Sequence, residues 1–134
     1  MSGFVWPVRV YLEDTDAQGV VYNASYFRFL ERARTEWLRD RGVDHRRLRE
    51  RDGVMLVLAG IEASFQAPAR LDDLLCVSAE LSELSGARVV FEQSIHRQSL
   101  EGELLCRGVA HVACVDVERG RPRRLPASLL DGLS

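Results

Sequence analysis

Between residues 24 and 40, the apolar positions Tyr26, Phe27, Leu30, Ala33, Trp37 and Leu38 recur at steps of three and four, with Arg and Glu filling most of the intervals. That spacing predicts one amphipathic helix of about five turns. Gly42 is placed to stop it, since glycine accepts the left-handed conformation at a helix C-terminus. The preceding residues 4–13 are rich in β-branched and aromatic types and nearly alternate from Val8 to Glu13, which predicts a strand running into an acidic loop. Residues 44–51 carry Arg and Glu around Leu48 and predict a short exposed helical turn before Asp52-Gly53. Beyond it the pattern is strand-like over 54–67, 74–84, 87–98 and 103–117. The separators 68–73, 85–86 and 101–102 hold the Gly, Pro, Ser and Asp that turns require. Residues 126–133 predict a final short helix, with Pro126 acceptable in a first helical turn. Five strands and one long helix make an α+β domain in which an antiparallel sheet curls around the helix.

The chain has 134 residues, 46% of them hydrophobic and 28% charged, so residues 1–134 are expected to form a single domain. A single helix cannot cover every strand of such a sheet, and a bare sheet edge invites aggregation. Pairing of edges in a homodimer is the economical remedy. A formal net charge of −2 offers no general field for nucleic acid, and no such partner is expected. All 18 basic residues are arginine, which excludes a lysine Schiff base, a Walker lysine and a lysine general base. Cys76, Cys106 and Cys114 lie in apolar or alternating stretches with no CxxC and no clustered histidine, so buried thiols are expected and a metal site is not. No apolar run reaches the roughly 18 residues of a membrane span, and the N-terminus lacks the pattern of a secretory signal. A cytoplasmic setting is expected, with peripheral attachment to the inner membrane left open.

The run Tyr11-Leu12-Glu13-Asp14-Thr15-Asp16-Ala17-Gln18-Gly19-Val20-Val21-Tyr22-Asn23-Ala24-Ser25-Tyr26, followed by Phe29-Leu30-Glu31-Arg32-Ala33-Arg34-Thr35-Glu36, resembles the 4-hydroxybenzoyl-CoA thioesterase family. Within it, the chain is most similar to the acyl-CoA thioesterases associated with the bacterial Tol-Pal cluster. Ala67-Pro68-Ala69-Arg70-Leu71-Asp72-Asp73, Cys114-Val115-Asp116-Val117 and Pro122-Arg123-Arg124-Leu125-Pro126 extend the match over nearly the whole chain. The resemblance implies a hotdog fold, a homodimer or homotetramer, hydrolysis of acyl-CoA thioesters and no metal or organic cofactor. It also implies a catalytic aspartate before the long helix, which the motif places at Asp16. An envelope or lipid-synthesis partner is a further implication.

Thioester hydrolysis needs a group that activates water or attacks the carbonyl, and donors for the charge that develops on oxygen. Asp16 suits the first role by either route. For the second, the resemblance points to a backbone N–H in the segment Gly53-Val54-Met55-Leu56, most directly at Met55, supplied across a subunit interface. Gly19 permits close approach or a positive φ beside the reacting centre, and Tyr22 and Asn23 follow in the motif as substrate-binding residues. Asn23 departs from the histidine or tyrosine of related chains and cannot titrate. Asp14 is expected to brace the loop by accepting backbone N–H bonds. Arg88, beside the turn at Ser85-Gly86, leads the arginines expected to meet CoA phosphates, ahead of Arg70, Arg97, Arg121, Arg123 and Arg124. His45, His96 and His111 suit surface or structural roles, and Ser64 and Ser78 lack a nucleophile elbow. The alternative is a hotdog protein without catalysis, binding acyl-CoA or serving an envelope complex.

Overall fold

The computed structural model describes residues 4–134. Its first strand, β1 (Val5–Arg9), gives way to a 3-10 turn at Leu12–Asp14, then to the long helix α1 (Asn23–Asp40). A short helix α2 (His45–Arg47) continues into a π-helical turn at Leu48–Asp52. Five strands follow, β2 (Val54–Phe65), β3 (Leu74–Ser78), β4 (Glu80–Ser85), β5 (Arg88–Arg97) and β6 (Leu104–Asp116), and α3 (Ala127–Leu133) ends the chain.

The helix buries Tyr26, Leu30, Ala33, Trp37 and Leu38 of the expected stripe, with Phe29 buried in place of the expected Phe27, which is half-buried. Trp37 meets Phe91 of β5 edge to face with ring centres 5.2 Å apart. Each such side chain contributes about 1.5 to 3 kcal/mol when fully buried. Gly108 on β6 lies directly under Leu30, where a Cβ would stand 3.0 Å from Leu30 Cδ1, so the glycine sets how closely helix and sheet approach.

All pairings are antiparallel in the order β1-β3-β5-β6-β2, with β4 also on β5. Five strands were expected and the described residues form six, because the third breaks at Ala79. The register is the same on both sides of the break, with Val77 opposite Ile95 and Glu80 opposite Glu92. Side chains replace the missing ladder: Ser94 N–H donates to Ser78 Oγ at 2.8 Å, and Gln93 Nε2 donates to the Ser78 carbonyl at 3.2 Å.

The first strand is also shorter than expected. Asp14 Oδ2 accepts the Tyr11 N–H at 2.8 Å, turning residues 11–14 out of the sheet and leaving Tyr11 and Leu12 exposed.

The two edges differ. β1 is five residues long and contains Pro7, both of which discourage pairing. β2 has twelve residues, pairs only with β6 among the described residues, and carries no charge before Glu62.

Candidate active site

The motif Thr15 to Val21 folds as a tight hairpin. Thr15 bridges Val21, Asp16 N–H donates to the Val20 carbonyl at 2.9 Å, and Gly19 N–H donates to the Asp16 carbonyl at 3.0 Å. Gly19 has φ +79°, a conformation that costs a non-glycine residue about 1 to 2 kcal/mol. Gln18 N–H donates to Asp16 Oδ1 at 2.8 Å, which orients the carboxylate. Among the described residues Oδ2 accepts no bond.

Asp14 is the hub beneath this hairpin and is only 3% exposed. Besides holding Tyr11 N–H, it accepts from Arg28 Nη2 at 3.0 Å through Oδ1, and its carbonyl accepts the Tyr22 N–H at 2.9 Å. Arg28 also donates to Ser25 Oγ, which donates to the Asp14 carbonyl at 3.3 Å, so two donors meet at the carboxylate of this residue and two at its carbonyl. The bracing role expected of Asp14 is what its contacts describe.

A second clamp holds the other wall. Val21 N–H donates to Ala69 O at 2.8 Å, and Ala69 N–H donates to the Tyr26 hydroxyl at 2.9 Å. Burial raises the Tyr26 pKa, with the Ala69 bond opposing, so the phenol stays protonated. Arg97 pairs with Asp73 and donates to the Pro68 carbonyl at 2.9 Å. Arg97, an arginine considered for phosphate, is therefore committed to the scaffold.

Together these segments form a groove of about 470 Å³ whose walls include Asp16, Tyr22, Asn23, Tyr26, Phe65 and Pro68. The N-terminus of α1 opens into it. Tyr22 occupies the N-cap without a side-chain cap, no acid stands in the first turn, and the N–H groups of Asn23 and Ala24 have no partner among the described residues. An uncapped helix start offers donors and a positive field equivalent to roughly half a charge. Reading Asn23 by its side chain overlooked this backbone feature. The available signal was the lack of a Ser, Thr or Asp just before the helix.

Asp16, Gly19, Tyr22 and Asn23 thus come together. Met55 and Arg88 lie elsewhere in the same chain. Met55 is ten residues along β2 from Phe65, about 33 Å at the rise of a strand. Arg88 sits at the same far end, opposite Ala113, which pairs with Val57, and is 3.7 Å from Glu83. The histidines take the structural and surface positions expected of them. His96 bonds to the Gly102 carbonyl and Ser94 Oγ, and His111 stands 3.7 Å from Glu62. Burial raises the pKa of all three thiols, that of Cys106 to about 11, which makes them poor nucleophiles.

The model of the thioesterase-like superfamily matches residues 10–133. The acyl-CoA thioesterase YbgC of Haemophilus influenzae is 44% identical over 125 residues, spanning 93% of this chain and 90% of its own. The acyl-CoA thioester hydrolase YbgC of Escherichia coli O157:H7 is 45% identical over 127 residues, spanning 95% and 92%. The crystal structure of a probable thioesterase from Bartonella henselae has a TM-score of 0.86 at 38% identity, over 93% of this chain and 100% of that one. With a family match from near one end to the other and the helix-in-sheet layout of its solved neighbours, the chain belongs to the thioesterase-like superfamily and has the hotdog fold.

Proposed function

We propose that the protein hydrolyses acyl-CoA thioesters to CoA and a carboxylic acid, with Asp16 as the acting carboxylate. The observation that carries this reading is that Asp16 and the uncapped start of α1 line one groove. A thioester carbonyl laid between them would have its oxygen toward the N–H groups of Asn23 and Ala24 and its carbon toward the carboxylate. As charge moves onto oxygen, the helix donors stabilise it without reorganising.

Either Asp16 takes a proton from water as that water attacks, or it attacks itself and water cleaves the resulting anhydride. In both routes the C–S bond breaks, the sulfur leaves as thiolate, and oxygen from water ends in the products. A thiolate leaves readily, so the non-titrating Asn23 side chain is no obstacle.

Asp16 is exposed in the single chain, and a charge in open water is a weak catalyst. A second copy supplies a cover. If β2 pairs antiparallel with its own copy over its whole length, Val54 falls opposite Phe65 of the partner subunit and Met55 opposite the partner's Ser64. The far end of one chain then closes the groove of the other, bringing the segment around Met55 and Arg88 towards the donors and the CoA phosphates respectively. The reading is of one catalytic domain, residues 1–134, acting as a homodimer or a dimer of dimers. A cytoplasmic location and an envelope or lipid-synthesis partner rest on the Tol-Pal resemblance alone. Among the described residues, no helix is long and apolar enough to cross a membrane.

The experiment is thiol release from short, long and aromatic acyl-CoA substrates by the purified protein without added metal. Release from at least one class is expected; none from any class would make the protein a binder. A single turnover in ¹⁸O-water then separates the routes, since label retained in the Asp16 carboxylate requires the anhydride.

A further inference from the structure

The inner face of α1 carries one charge the reaction does not use. Arg34 is 7% exposed, and its one hydrogen bond among the described residues is from Nη1 to the neutral Gln93 Oε1 at 3.0 Å. No carboxylate lies within ion-pair distance among the described residues, and burial lowers its pKa, with Glu31 opposing. Buried charges are ordinarily paired, since an isolated one costs several kcal/mol. One turn away, Glu31 is exposed and makes neither a hydrogen bond nor an ion pair with any described residue. Both line a second groove, of about 280 Å³, between α1 and the open edge of β2, with Phe27, Leu38, Leu56 and Leu58.

Phe27, Glu31, Arg34 and Leu38 are spaced four, three and four residues apart and form one stripe. Turned end for end, the stripe reads the same in kind: apolar, charged, charged, apolar. A two-fold interface requires this property, because each residue must meet its symmetry counterpart. Antiparallel packing of the stripe on its copy sets Phe27 against the partner's Leu38 and Glu31 against the partner's Arg34. The stripe borders the open edge of β2, so the same axis serves strand pairing and helix packing.

We propose that Glu31 and Arg34 are the register key of a homodimer, two reciprocal ion pairs that fix how the two copies align and so which residues close each Asp16 groove. The proposal rests on the two-copy reading above and gives it a determinant. A continuous apolar edge specifies register poorly, and a single allowed alignment of buried charges specifies it well.

The test is charge complementation, with assembly read by analytical ultracentrifugation and activity by thiol release. Glu31→Arg alone sets arginine against arginine at both pairs, and Arg34→Glu alone sets glutamate against glutamate. Each should shift the dimer dissociation constant upward by at least tenfold and lose activity in parallel. Mixing the two variants restores both contacts in the heterodimer, and assembly and thiol release should return together. Should Arg34→Glu fail to fold, Glu31→Arg carries the test, because Glu31 makes no hydrogen bond or ion pair with any described residue of its own chain. Its dissociation constant should then exceed that of Glu31→Ala by at least tenfold. A monomeric wild-type protein would overturn the two-copy reading itself. A dimeric wild type whose assembly Glu31→Arg leaves unchanged would overturn the register key and spare the dimer.

Discussion

At the Phe65 end of β2, the chain holds its reactive loop with buried groups of its own: Asp14 beneath the hairpin, the Tyr26 hydroxyl on Ala69, and Arg97 on Asp73 and Pro68. At the Met55 end, the residues expected at the substrate stand unbraced, Met55 on an open edge and Arg88 beside one exposed glutamate. The contrast separates two kinds of requirement. A carboxylate must be held to a fraction of an ångström before substrate arrives. A backbone donor needs only the strand that carries it, and that strand is rigid once a neighbour pairs with it. The first end is therefore built within the chain, and in the two-copy proposal the second is completed by another chain.

Changes at the braced end should cost stability, and changes at the open end should not. The largest stability effect is expected for Asp14→Ala, which strands the part-buried Tyr11 N–H and frees Arg28. A loss of about 1 to 3 kcal/mol in urea unfolding is expected, with lower turnover at saturating substrate. An unchanged midpoint would remove Asp14 as the hub. Tyr26→Phe leaves the Ala69 N–H without its partner and should cost about 1 to 2 kcal/mol, with no change in helix content by circular dichroism. Gly19→Ala must hold φ +79° with a Cβ and should cost about 1 kcal/mol. Because no atom lies within 4 Å of that Cβ, any larger loss would point to a different hairpin in solution. Arg88→Ala should move stability by less than about 0.5 kcal/mol while raising KM for acyl-CoA. A KM unchanged at low salt would take Arg88 out of the phosphate contacts.

Alkaline titration probes the core at the Phe65 end, where Cys106 pairs with Phe65. Cys106 ionises near pH 9 when unfolded and is pushed up to about 11 by burial in the folded chain. Its contribution is complete below pH 9 and is lost as pH rises to 11, since the unfolded chain then binds fewer protons. Cys106→Ala should flatten that decline.

Much of this architecture was legible in the residues. The apolar stripe of α1 gave the helix to within a residue at its start, and the turn residues gave the separators near 68–73, 85–86 and 101–102. The break at Ala79 was not legible, because Leu74 to Leu84 reads as one apolar-rich strand and the interruption is held by Ser78, Gln93 and Ser94 across the sheet. The early end of β1 depends on a side chain, Asp14, competing with the ladder for the Tyr11 N–H, which propensity does not register. In the proposed site, Asp16, Gly19, Tyr22 and Asn23 could be named together because they lie in one continuous motif. The donors at the start of α1 were missed because backbone groups carry no residue letter. The buried charge of Arg34 was missed because, on a helix rich in exposed arginine, only burial distinguishes it.

The most direct measurement is CoA release by wild type and Asp16→Asn under identical conditions, with folding and assembly checked by circular dichroism and light scattering. The exchange keeps the size of the side chain and an oxygen for the Gln18 N–H, and removes the charge. Turnover should fall by about 10² to 10⁴ in a variant that folds and assembles as wild type does. Wild-type turnover by the asparagine variant would contradict the account.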